Sequence, residues 1–102
     1  MSTVIHQPRV AWDGARAFVR AATGPRFSAF ADEVHDLLGP EICSAFIETR
    51  DQLLTESART GGDRRAFDLE AGRWRVRLEE LLRSRPELSG AVQDLTSRGF
   101  ES

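Results

Sequence analysis

Residues 64–85 read RRAFDLEAGRWRVRLEELLRSR, and the fold class turns on how this stretch is taken. As a helix it places Phe67, Ala71, Trp74, Leu78, Leu81 and Leu82 on one stripe at intervals of three and four residues. As a hairpin it alternates Phe67-Leu69 with Trp74-Val76-Leu78 around a turn at Ala71-Gly72. The run Arg77-Leu-Glu-Glu-Leu-Leu-Arg83 has helical period, and an isolated two-stranded hairpin is marginal in water with no further strand beside it. The helix is therefore the favoured reading, and the chain is expected to be all-α.

The segments on either side agree. Upstream, Phe27, Phe30, Ala31, Val34, Leu37 and Leu38 form an apolar helical stripe, with Asp32, Glu33 and Asp36 off it. Gly39-Pro40 closes that helix and opens the next, because a proline at the first helical position gives up no needed N–H and Glu41 suits the positive helix end. Ile42, Cys43, Phe46, Ile47, Leu53, Leu54 and Ala58 carry a third helix to about Arg59. Thr60-Gly61-Gly62 is the expected internal break at residues 60–63, with Asp63 suited to cap the helix that follows. Pro86-Glu87 opens a short fifth helix with Leu88, Val92 and Leu95 inward, and Gly99 is expected to stop it. At the other end Val10, Ala11, Ala15, Phe18, Val19 and Ala22 mark a first helix, Val10 to Ala22. Residues 1–9 show no period and are expected to form a flexible tail. One domain, residues 10–102, of four to five helices follows.

Length and composition fit this picture. The chain has 102 residues, enough for a single modest core and too few for two. It lacks the apolar run of about 20 residues that a membrane span needs, and its first residues carry no signal-like apolar segment. The lone Cys43 can make no internal disulfide, and a cytoplasmic location is expected.

Charge is laid out in blocks. Residues 1–26 carry four Arg and one Asp, residues 32–56 seven acids against Arg50, and residues 59–85 eight Arg against five acids. The order suggests that the acidic middle lies between the basic flanks in the folded chain. All 14 basic residues are Arg, a bias that a GC-rich genome explains better than a phosphate-reading surface does. A net charge of −2 speaks against general nucleic-acid binding.

No catalytic motif emerges. Asp32 and His35 share a helix face at i, i+3, half of a carboxylate-type metal site without its second half, and His6 lies in the tail. Cys43 falls on an apolar stripe and reads as a small buried hydrophobe. Gly61-Gly62 lacks the Lys and Ser/Thr of a phosphate loop. The expectation is a chain that is not an enzyme and uses no cofactor and no metal.

Two surfaces are candidates for binding. Trp12 and Phe18 lie on an Ala-rich first helix whose small-residue side, with Gly14, invites another helix or another copy. Arg73 and Arg77 share one face of the fourth helix while Arg75 points away, with Trp74 among them. These Arg side chains serve either a partner or internal pairs with Glu70, Glu79, Glu80 and the acidic third helix.

The C-terminal pattern Trp74-x3-Leu78-x2-Leu81-Leu82-x3-Pro86-Glu87-Leu88, followed by Val92 and Leu95, resembles small uncharacterised helical proteins common in actinobacteria, as does Leu37-Leu38-Gly39 ending a helix. The likeness covers about two thirds of the chain. It implies an all-helical fold and a non-enzymatic, partner-binding role. The expected function is a protein–protein interaction or adaptor module, able to self-associate as a homo-oligomer. The alternative is a small nucleic-acid-binding regulator that uses the Arg-rich segment 59–85.

Overall fold

The computed structural model describes residues 7–62 and 64–100. Among the described residues five α-helices follow one another: α1 (Gln7–Ala22), α2 (Phe27–Leu38), α3 (Pro40–Thr60), α4 (Arg65–Ser84) and α5 (Ser89–Phe100), with one 3-10 turn at Pro86–Leu88 before the last. There is no strand among the described residues. The 64–85 segment is helical, and Gly72 sits inside α4 without breaking it.

The turns follow from their glycines. Gly39 (φ 97°) and Gly61 (φ 73°) occupy backbone conformations that a side chain would strain. At Gly39 the chain reverses so that α2 and α3 pack together; at Gly61 and Gly62 it reverses again into α4. α3 ends at Thr60 and α4 begins at Arg65, while the capping role expected of Asp63 lies outside the described residues.

α1 is the central element, packed against α4 and α5 and touching α2 and α3. Its Phe18 ring contacts Phe30 of α2 (5.2 Å between centroids), Phe46 of α3 (5.8 Å) and Trp74 of α4 (4.8 Å), so one aromatic side chain ties four helices. The C-terminal end of α1 is fastened by Arg50, which donates to the Ala22 carbonyl at 2.9 Å and lies over the Phe27 ring at 4.4 Å. Two glycines permit the close packing of α1. A Cβ at Gly14 would meet Leu78 Cδ1 at 2.9 Å, and one at Gly99 would meet Ala17 Cβ at 2.8 Å and its carbonyl oxygen at 2.9 Å.

Four expectations need correction. Residues 7–9, expected to belong to a tail, are helical: α1 begins at Gln7, with Pro8 tolerated in the first turn, while residues 1–6 lie outside the described residues. Gly99 does not stop α5, which runs on to Phe100; the glycine is there because Ala17 leaves no room for a side chain. The fifth helix opens as a 3-10 turn at Pro86, and its α-helical part starts at Ser89. Leu37, Ile47 and Leu54 belong to the apolar stripes by period but are exposed, since each stands at the edge of its stripe.

Candidate functional site

Trp12 and Phe18 part company in the structure. Six positions apart on α1, they diverge by more than a quarter turn, and this decides their fates. Phe18 is 0% exposed at the centre of the core and cannot present a binding surface, which corrects the expectation for that residue. Trp12 is 44% exposed, its ring 5.9 Å from the Arg75 guanidinium. The small-residue side of α1 is also occupied: Gly14 faces Leu78 and Val92, and Ala17 faces Gly99. That side is an internal seam of the fold and leaves no room for a further helix.

Arg73 and Arg77, one turn apart on α4, open onto the same side. They border a groove between α3 and α4. One part, of about 400 Å³, is lined by Glu48, Thr49, Arg73 and Arg77 among others; the adjoining part, of about 390 Å³, is lined by Glu56, Arg59, Arg65 and Leu69. Gln52, Glu70 and Arg73 border both parts, so the groove is continuous. At its rim Leu69 is 57% exposed.

The groove wall is organised by a carboxylate that periodicity did not single out. Glu70 is only 6% exposed, and Arg73 reaches back one turn to donate to its Oε2 at 2.7 Å. Deeper in, the Trp74 indole N–H donates to the Thr49 hydroxyl at 2.7 Å, and that hydroxyl donates to the Ala45 carbonyl at 2.9 Å. Arg77 lies over the Trp74 ring with its guanidinium carbon 4.7 Å from the centroid. Arg75 pairs with Glu79 at 3.4 Å on the other flank of α4. Arg73 and Arg77 are thus brought together with Glu70, while Trp12 and Arg75 stand on the far side of the helix. A hint of Glu70 lay in the sequence, since it precedes Trp74 by one helical turn.

Acidic residues of the middle segment have partners on other helices and within their own. Glu33 bonds Arg98 of α5, Glu56 bonds Arg59 within α3, and His35 stands 3.7 Å from Asp36. Among the described residues no group of three or more His, Cys, Asp or Glu side chains gathers in a way that could hold a metal ion, and His6 lies outside them. Cys43 is buried on α3, its thiol 3.4 Å from the Ala31 carbonyl oxygen, and burial followed by the nearby Asp32 charge raises its pKa. A thiol so placed is held in its unreactive protonated form. Among the described residues no helix is long and apolar enough to cross a membrane.

The fold and its surface define a small all-α domain, five helices around one aromatic core with an ionic groove between two of them. The chain matches no family model, no curated protein and no solved structure.

Proposed function

We propose that the protein is a non-enzymatic interaction module that binds another protein in the α3–α4 groove. The observation that supports this best is the juxtaposition along one open channel of an exposed leucine, Leu69, with the Arg73 and Arg77 guanidiniums. An apolar anchor flanked by planar, multi-donor cations suits a segment carrying a hydrophobic side chain and carboxylates. Arg77 is held in place by the Trp74 ring beneath it, so less freedom is lost when it meets a carboxylate.

Nucleic-acid binding through residues 59–85 is supported less well. The guanidiniums of that segment are divided between two flanks of α4, and Arg59 and Arg75 are each engaged by a glutamate. A phosphate backbone is best met by a row of cations on one face.

The test is affinity capture from the lysate of the source organism, with and without nuclease, using the full chain and its Leu69→Asp variant. A single dominant protein retained after nuclease and lost with Leu69→Asp is the expected result. Capture abolished by nuclease would establish the nucleic-acid alternative. Equal recovery by both chains would place the contact outside the groove.

A further inference from the structure

Glu70 is the least exposed acid of the α3–α4 groove, and one of its two carboxylate oxygens has no partner among the described residues. Arg73 donates to Oε2 at 2.7 Å, while Oε1 accepts no hydrogen bond from them. An ionised carboxylate can accept about four hydrogen bonds, so most of its capacity is unused. No side-chain nitrogen or oxygen of the described residues is both sealed from water and unpaired, so Oε1 reaches solvent. It does so in the groove, because Glu70 is otherwise buried and borders both of the groove's parts.

The neighbours of Oε1 decide what it can take. Glu48 and Asp51, one turn apart on α3 and exposed, line the same part of the groove and have no ion pair among the described residues. Two cations line it with these three acids, and both are engaged: Arg73 by Glu70 Oε2, and Arg77 by the face of the Trp74 ring. The Thr49 hydroxyl gives its one hydrogen to the Ala45 carbonyl and has none left for Oε1. This part of the groove therefore holds a recessed acceptor without a donor, beside two acids without a counter-charge.

We infer that this part of the groove receives a basic side chain, arginine or lysine, of the protein segment that binds there, its charged group donating to Glu70 Oε1 with Glu48 and Asp51 beside it. The inference rests on the groove reading and adds a third element to it: the segment that covers Leu69 and meets Arg77 with a carboxylate also carries a cation. A segment laid over Oε1 displaces its water. If that segment brings no donor, the oxygen is left unpaired at a cost, so Glu70 selects against segments that lack the basic residue.

Selection of peptides by the full chain tests it, from a phage library of random sequences of about 12 residues, which span about 40 Å when extended. Affinities of the selected peptides are then read by fluorescence anisotropy, and those that Leu69→Asp weakens about tenfold or more are groove binders. These are expected to carry an arginine or lysine at a constant distance from an apolar residue. Replacing that basic residue with glutamine should weaken binding to the parent chain about tenfold, and binding to Glu70→Gln hardly at all, since the two changes remove one interaction. Should Glu70→Gln lose its helical circular dichroism, Glu48→Gln/Asp51→Asn, at two exposed positions, takes its place, and there the replacement should cost only about threefold. Groove binders without a basic residue would overturn the inference and leave the groove reading standing. So would a replacement that costs the same in the parent and in the variant. A library that yields no peptide dependent on Leu69 would overturn the groove reading, and the inference with it.

Discussion

The Trp74 indole and the Thr49 hydroxyl form a buried polar link between α4 and α3: the N–H donates to Oγ1 at 2.7 Å, and neither residue is accessible to more than a trace of solvent. The hydroxyl passes its own hydrogen to the Ala45 carbonyl, so it both accepts and donates. Thr49→Val keeps the shape and removes the acceptor, leaving a buried N–H unsatisfied. The expected loss is about 1–3 kcal/mol by urea denaturation. Thr49→Ser, which keeps the hydroxyl, should lose only about 1 kcal/mol. A Thr49→Val chain as stable as the parent would mean that the hydrogen bond contributes nothing.

The two tryptophans should separate cleanly. Trp74→Ala opens a cavity beside Phe18 and is expected to cost about 3–5 kcal/mol. Trp12→Ala removes a side chain that stands largely at the surface and should cost no more than about 1 kcal/mol. Thermal melts followed by circular dichroism read this directly, since 1 kcal/mol shifts the midpoint of a chain this size by roughly 4–8 °C. A large drop for Trp12→Ala would assign that indole a packing role.

Substitution at two glycines should have opposite signs. At Gly99 an added methyl collides with the Ala17 backbone, which cannot yield as a flexible side chain would, and Gly99→Ala should lose about 1–3 kcal/mol. At Gly72, in the interior of α4, nothing lies within 4 Å of the added atom. Gly72→Ala should therefore gain about 0.5–1 kcal/mol through helix propensity. Denaturant midpoints for the pair decide it.

Cys43 carries a pH dependence. Burial, with the Asp32 charge second, raises the folded thiol's pKa above its unfolded value. The contribution to stability is thus complete below the unfolded thiol's pKa and is lost as pH rises towards the folded one. Stability measured from neutral to alkaline pH should fall more steeply for the parent than for Cys43→Ala. Labelling by a thiol reagent should be slow in the native chain and fast in denaturant; fast native labelling would contradict the burial.

Much of this molecule is legible from residue order, though unevenly. α2 begins and ends where Phe27 and Gly39 say it should, because an unbroken stripe and a Gly-Pro stop act together. The Trp74 stripe identifies the buried side of α4, and Cys43 is buried as its position on a stripe suggests. Period alone does not tell which flank of a stripe meets a neighbour. Ile47 and Leu54 therefore look like core residues and are exposed, while Thr49 and Glu70 look polar and are enclosed. The position of Phe18 depends on how α1 is covered, and that is decided by Gly14 and Gly99, glycines whose meaning appears only when a distant helix arrives. The groove joins residues from Ala45 to Arg77, and no short-range pattern announces it.

The central place of α1 has a consequence for how the chain acquires its shape. This helix is made before α2 and α3, yet its principal neighbours, α4 and α5, are made after them. Closing loops of that length is slow compared with pairing α2 to α3, which are joined through Gly39 alone. During synthesis the α2–α3 pair can therefore settle while the apolar side of α1 is still exposed, and the last turns of α5 complete its enclosure through the Ala17–Gly99 contact.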